Sequence, residues 1–232
     1  MKNTILLLYA ILLFLSCRNE KQLQLPEIDK AEITELQDVS VAYLFYDETQ
    51  PDSVLLNRRN LISTTNWLVN VDKRLTLKQA IPHIKLLQDK KKSSSHKNEN
   101  AKNYFTCHDL SVNNLGFLEF TRTEYHQNID SLFISKSKTP LKDYIQTLYI
   151  SFESPKSIIL WNSIDSTETK ISKYSDVKDT IFKISKTNQR QINIEFGLSN
   201  ELMFQDYINI KSILSKINLE NVTLSKDEFI YN

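Results

Sequence analysis

The chain has 232 residues, which fits one large domain or two of about 100 residues each. Lys and Arg number 29 against 28 Asp and Glu, and the formal net charge of +1 excludes a general basic surface of the kind that recruits nucleic acid. Glycine occurs only at Gly116 and Gly197, which excludes glycine-rich phosphate-binding loops, so no cofactor is predicted.

The segment 1–17, MKNTILLLYAILLFLSC, has the layout of a secretory signal. Lys2 precedes an apolar run over residues 5–15, which as a helix rises only about 16 Å, roughly half of a bilayer core. The ending LFLSC resembles a bacterial lipobox, in which the cysteine is acylated and the peptide before it is removed. This resemblance implies a signal peptide over residues 1–16 and a lipoprotein attached to a membrane through acyl chains, such as palmitate, on Cys17.

A polar stretch follows the cysteine. It carries one proline and no periodic apolar face, so we interpret residues 17–36 as a lipidated tether. Arg18 is not the aspartate associated with inner-membrane retention, which slightly favours the outer membrane. The predicted location is the cell envelope, facing the periplasm.

Residues 37–127 are predicted to form a first α+β unit. Thr76 and Gln79 fit a capping box and begin a helix that extends to about Lys90, in which Pro82 either introduces a kink or marks the true first turn. β-Branched and aromatic runs predict strands at residues 39–46, 67–71, 103–109 and 115–122.

Residues 128–140 mix turn formers with a short apolar patch and are predicted to be a linker. Residues 141–232 are predicted to form a second α+β unit, with the order β-β-α-β-α-β. Its elements are strands at residues 147–153 and 157–161, a helix capped by Ser175, a strand at 192–196, a helix at 203–216 and a last strand at 222–231.

An internal echo links the two units. At one constant offset, five apolar residues of the first unit correspond to five of the second: Leu75 to Leu202, Leu77 to Phe204, Ile81 to Ile208, Leu86 to Ile213 and Leu87 to Leu214. We interpret the chain as two small, duplicated sheet-and-helix units.

The segment 147–231 resembles the periplasmic domains of ExbD/TolR-type proteins, the stator partners in proton-driven envelope motors. It matches them in a strand pair, a helix, a strand reading INIEF, a helix reading MFQDYINIKSILSKI and a short strand in NVTLS. In the first half, Val71-Asp72-Lys73 looks like that family's strand-end motif. The resemblance implies a role as an accessory of an energy-transducing, biopolymer-transport membrane complex.

The chain departs from that family at three places. The family carries a transmembrane helix with a proton-handling aspartate, whereas no acidic residue precedes Cys17. Leu198 and Ser199 stand near the position where a second copy would show the family's aspartate, and residues 154–156, Ser-Pro-Lys, replace a glycine-containing turn. The resemblance therefore carries over the scaffold and its pairing surfaces, without the proton chemistry.

Cys107, His108 and Asp109 are the residue types of a hydrolase triad. Neighbours in a strand point to opposite faces, so we predict that Cys107 is a buried structural residue. Glu124 and His126 could approach His108 across a hairpin, but their spacing is not that of a metal site. The pairs Asp47-Glu48 and Asp227-Glu228 are interpreted as solvated, and no catalytic or metal-binding residue is predicted.

The main hypothesis is a non-enzymatic, lipid-anchored envelope protein that acts by protein–protein interaction, with an envelope protein or a second copy as its partner. Two alternatives stay open. One is an envelope thiol hydrolase that uses Cys107 with His108 or His126, and the other is a lipoprotein that binds a small molecule between the two units.

Overall fold

A computed structural model describes residues 21–96, 98–129, 145–187 and 190–232. In this part of the chain the fold is α+β, with two mixed six-stranded sheets and three helices. The predicted signal peptide 1–16, Cys17 and residues 130–144, which include most of the predicted linker, lie outside the described residues. Within the described ranges, no helix is long and apolar enough to cross a membrane.

The first sheet is built around three parallel strands, with β4 between β2 and β5. β3 pairs antiparallel with β2, and β6 pairs antiparallel with β5, while the short β1 lies parallel to the end of β5. The strands are β1 (Glu27–Ile28), β2 (Val39–Tyr46), β3 (Val54–Asn57), β4 (Asn66–Val71), β5 (Asn103–Asp109) and β6 (Asn114–Glu119).

The second sheet has the order β10-β9-β8-β11-β12-β7. β8, β11, β12 and β7 run parallel, and β9 and β10 complete the sheet as antiparallel strands. The strands are β7 (Glu124–Ile129), β8 (Ile145–Ser154), β9 (Ser157–Asn162), β10 (Glu168–Ile171), β11 (Gln191–Ser199) and β12 (Val222–Tyr231).

β7 is the strand that the predicted boundaries miss. Residues 37–127 were assigned to the first unit and residues 128–140 to a linker, whereas β7 spans this boundary and pairs with β12 of the second sheet. Its sequence, EYHQNI, is mostly polar, so only its long-range pairing identifies it as a strand.

The three helices are α1 (Leu77–Lys92), α2 (Tyr174–Thr187) and α3 (Phe204–Ser215). The capping box predicted for α1 is confirmed, because the Thr76 N–H donates to Gln79 Oε1 at 2.9 Å and the Gln79 N–H donates to Thr76 Oγ1 at 3.4 Å. Pro82 lies inside α1 and not at its start. α2 begins one residue before the predicted cap Ser175.

The segment 21–33, which we call the N-terminal strap, differs from the predicted free tether over residues 17–36. β1 pairs with β5, Ile28 is buried, and Ile33 forms a bridge with Phe117 of β6. The polar composition of the strap does not predict this pairing. Most of the hydrogen bonds are made by the strap backbone with residues far along the chain. The strap is therefore an integral part of the first sheet.

The two units join through the backbone segments that precede α1 and α3. Four N–H groups donate across this junction to carbonyl oxygens at 2.7 to 3.3 Å: Leu77 to Leu202, Phe204 to Leu75, Lys78 to Asn200, and Gln205 to Lys73. These bonds form two symmetric pairs under the offset of the sequence echo, with Thr76 opposite Met203 at their centre.

The buried residues of both units form one hydrophobic core. Phe105 of β5 stacks on Phe120, and the rings of Phe204 and Tyr207 from α3 meet Phe105 edge-on. Aromatic rings of both units therefore pack against one another where the units meet.

Candidate functional site

Three aspartates stand at the carboxyl edge of the first sheet. Asp47 follows β2, Asp72 follows β4, and Asp109 is the last residue of β5. The strand registers place Leu44 opposite Val71, and Val69 opposite Phe105. The three aspartates, which we call the aspartate row, therefore lie within about two residues of one another along the strand direction.

Each aspartate of the row closes the turn that ends its strand. The Oδ1 atoms accept hydrogen bonds from N–H groups two residues further on: Asp47 from Thr49 at 3.2 Å, Asp72 from Arg74 at 3.1 Å, and Asp109 from Ser111 at 2.9 Å. Aspartate favours such turns because its short side chain reaches the backbone locally. The three residues are only 6%, 0% and 2% exposed, so their remaining acceptor sites need partners within the protein.

The strap supplies those partners. Lys21 Nζ forms an ion pair with Asp47 Oδ2. The Gln24 N–H donates to Asp72 Oδ2 at 3.2 Å, and the Ala31 N–H donates to Asp109 Oδ2 at 2.7 Å. The strap therefore crosses three neighbouring strands and is fixed to a buried carboxylate at each of them.

The strap also contacts the second unit. The Glu27 N–H donates to Gln205 Oε1 at 2.8 Å, and Gln205 Nε2 donates to the Glu27 carbonyl at 2.9 Å. At the end of α3, the capping residue Lys216 donates from its Nζ to the Asp29 carbonyl at 3.0 Å. The strap thus connects the aspartate row of the first unit to a helix of the second.

Gly116 of β6 lets the strap approach the sheet. A Cβ atom built on Gly116 would lie 2.4 Å from the Cβ atom of Ala31, far inside van der Waals contact. Only glycine accommodates Ala31 at this distance.

The pKa values of Asp72 and Asp109 lie below the ordinary value of an aspartate. Burial alone would raise the pKa of Asp72, but hydrogen bonds from the Arg74 side chain and from backbone N–H groups lower it overall. The Ser111 hydroxyl and then the Ala31 N–H lower the pKa of Asp109 to about 2, despite its burial. These carboxylates therefore bind the strap as charged acceptors.

A cleft of about 330 Å³ opens where the strap passes Asp47. Tyr46, Glu48 and Arg74 line it together with the strap. The Arg74 guanidinium lies 5.0 Å from the centre of the Tyr46 ring and also pairs with Asp72. The guanidinium group in the cleft is therefore already paired with Asp72 of the aspartate row.

The predicted triad residues do not converge. Cys107 is fully buried, and burial, followed by the nearby Asp109 charge, raises the pKa of its thiol to about 12. His108 Nε2 lies 3.0 Å from Asn113 Oδ1, and Asp109 binds the strap. The thiol therefore stays protonated, and Cys107 is a structural residue, as its place in the strand indicates.

The three residues considered for a metal site are also separated. Glu124 and His126 belong to β7 of the second sheet. His126 Nε2 lies 2.7 Å from Asp227 Oδ1, and Glu124 pairs with Lys92. His108 belongs to β5 of the first sheet. Among the described residues there is no group of three or more His, Cys, Asp or Glu side chains that could hold a metal ion.

A buried polar cluster corrects the prediction that Glu228 is solvated. Glu228 is 1% exposed, and it accepts hydrogen bonds from the Tyr207 hydroxyl at 2.8 Å and from Lys211 Nζ at 2.5 Å. The hydroxyl of Tyr125 in β7 lies 2.9 Å from that of Tyr207. β12 faces α3 and β7 at this position, so Glu228 is enclosed, which the terminal position in the sequence did not suggest.

No protein-family model, curated protein or solved structure matches the chain. The aspartate row and the strap are therefore the main guide to function. The sequence pointed to Asp72 and Asp109 only for other roles, and the interpretation of Asp47 as solvated is wrong, since it is buried. One feature of the sequence does point to the row, because each of its aspartates ends a strongly β-forming run. The strap that binds these aspartates, however, lies far away in the sequence.

Gly116→Ala should destabilise the protein by about 1–3 kcal/mol, the usual range for overpacking, because the added Cβ would collide with Ala31. Ala31→Gly removes the colliding atom and should restore most of the loss in the double variant. Urea denaturation of the wild type, both single variants and the double variant gives the coupling free energy. An equal loss from Gly116→Ala with and without Ala31→Gly would contradict the close packing of strap and sheet.

Asp109→Asn should lower the free energy of unfolding at neutral pH, and the difference from wild type should shrink as the pH falls. The pKa of Asp109 is lowered to about 2, so its contribution is complete above the unfolded value of about 4 and is lost as the pH falls towards 2. Unfolding curves of both proteins, measured from neutral pH down to about pH 2, give the difference in free energy of unfolding at each pH.

Asp165→Asn is the matched control for this experiment. Asp165 closes the same kind of turn by accepting the Thr167 N–H at 3.0 Å, but it is exposed and lies in the second unit. Its substitution should have little effect. A difference between wild type and Asp109→Asn that is independent of pH would show that the Asp109 charge does not hold the strap.

Proposed function

We propose that the protein is a lipid-anchored, non-enzymatic component of the bacterial cell envelope that acts by protein–protein interaction. It is acylated at Cys17 and faces the periplasm. One observation carries the proposal: the strap is fixed to the folded body from Lys21 onward. The residues between Cys17 and Lys21 span at most about 14 Å when extended, so the acyl chains would hold the carboxyl edge of the first sheet close to the membrane.

This short connection defines what the anchor does. A long flexible tether would let the body diffuse and rotate away from the membrane. A strap bound to Asp72 and Asp109, and to Gln205 of the second unit, instead keeps both units close to the anchor. The anchor would therefore hold the body at the membrane surface, where other envelope proteins can reach it.

We infer further that the two units are copies of one scaffold of the ExbD/TolR periplasmic type. The strand order supports this inference, since β4 lies between β2 and β5 as β11 lies between β8 and β12, all parallel. Asp72 and Ser199 also correspond, because each accepts an N–H two residues on, from Arg74 at 3.1 Å and from Glu201 at 3.3 Å. The implied role is that of an accessory to an energy-transducing membrane complex.

The proposed contact surfaces are the outer strands of the two sheets. β3 ends the strand order of the first sheet and β10 ends that of the second. Outer strands carry backbone groups that can pair with a strand of another protein or of a second copy. The thiol-hydrolase alternative has no comparable support, since Cys107 is buried and protonated.

Cys17→Ala should abolish incorporation of labelled palmitate and release the protein from membranes, while the midpoint of unfolding stays unchanged. Cys107→Ala is the matched control, because it removes the other cysteine and should retain the label. Metabolic labelling and flotation of membranes in a bacterial host measure both effects. Full membrane association of Cys17→Ala would overturn the lipid-anchor proposal.

The interaction itself is tested by cross-linking in intact cells. An envelope protein should be recovered with the wild type and lost with Cys17→Ala, since the partner surface is presented only at the membrane. Identical recovery with both variants, or no recovery above background, would contradict a role in protein–protein contact at the envelope.

A further inference from the structure

The turn between β5 and β6, together with the start of β6, exposes a group of apolar side chains. Leu110 and Val112 of the turn and Leu115 of β6 are 55%, 61% and 44% exposed, and we call these three residues the apolar tip. Exposed apolar residues scattered singly need no explanation, whereas a group of them close in sequence is a candidate contact surface.

Hydrogen bonds fix the shape of this turn. Asp109 accepts both the N–H and the hydroxyl of Ser111, at 2.9 and 2.7 Å, and His108 Nε2 lies 3.0 Å from Asn113 Oδ1. Asn113 has a φ of 50°, a left-handed conformation that asparagine tolerates better than most residues. The polar residues of the turn therefore bond within it, and the apolar residues project into solvent.

The apolar tip lies at the same edge of the sheet as the start of the strap. Leu110 directly follows Asp109 at the carboxyl edge of β5, and Asp47, which binds Lys21, follows β2 at the same edge of the sheet. Their strands are two positions apart in the sheet, a spacing of about 10 Å. The Leu110 N–H also donates to the carbonyl of Ile28 in the strap, at 3.0 Å.

We propose that the apolar tip inserts into the lipid interface that holds the acyl chains of Cys17. This inference rests on the proposed lipidation. Cys17 is within about 14 Å of Lys21, so the anchor brings the membrane to the edge of the sheet where the tip projects. Side chains of this kind enter the boundary between headgroups and acyl chains to a depth of about 5–10 Å. Anchor and tip would then fix the body at two points.

The test places an environment-sensitive fluorophore on the mature, lipidated protein. Val112→Cys is labelled with nitrobenzoxadiazole, and Ile62→Cys is the matched control. Ile62 is also exposed, at 57%, but it precedes β4 and so lies at the opposite edge of the same sheet. Acylation blocks Cys17 and burial protects Cys107, so the dye reacts only with the introduced cysteine. The variants are reconstituted into vesicles of phosphatidylethanolamine and phosphatidylglycerol.

The dye at Val112→Cys should show a several-fold rise in emission and a blue shift on reconstitution, with quenching by spin-labelled lipid near the headgroups. The dye at Ile62→Cys should not change. Similar spectra at both sites in a protein that floats with the vesicles would overturn the tip proposal while leaving the lipid anchor intact. A rise that depends on protein concentration without vesicles would overturn it in favour of contact between copies. Failure of the protein to float would overturn the anchor, and the tip proposal with it.

Discussion

The fold depends on the hydrogen bonds between three buried carboxylates and the strap. An ionised carboxylate that is buried without partners costs several kcal/mol, and local turns satisfy only part of what Asp47, Asp72 and Asp109 require. The Arg74 side chain also bonds Asp72, and Lys21, Gln24 and Ala31 of the strap each bond one of the three carboxylates. Docking of the strap and folding of the first sheet therefore stabilise each other, and the segment nearest the proposed anchor belongs to the folded body.

The second unit differs from the first at the carboxyl edge of its sheet, where no buried carboxylate in the described part of the chain needs a partner from the strap. Ser199, a neutral residue, stands where the first unit has Asp72, and no strap segment is bonded to Ser199 among the described contacts. The backbone N–H and side chain of Asn200 instead bond Tyr231 and Asn232, at 2.8 and 2.7 Å. Asp72 of the first unit thus binds the strap as a charged group, whereas Ser199 at the matching place in the second unit is neutral. The two units share the order of their central parallel strands but differ at these edges.

Local patterns were sufficient to predict β2, β4, β5, α1 and α3, because their alternating or helical apolar residues report burial directly. β1 and β7 were missed because they are polar and depend on pairing with β5 and β12, distant in the sequence. The site was missed for a related reason. Asp72 and Asp109 are visible as strand-end residues, but the strap amides that bind them lie 48 and 78 residues away, and their polar sequence resembles a tether.

Hydrogen exchange of the strap amides tests this account most directly. In the mature protein at neutral pH, the amides of Gln24 and Ala31 should be protected to nearly the level of the β5 amides, because each donates to a buried carboxylate. Asp109→Asn should accelerate exchange at Ala31 more than at Phe105 in the core. Exchange of Gln24 and Ala31 at the rate of an unstructured peptide, with β5 protected, would show that the strap is a free tether and would contradict the account.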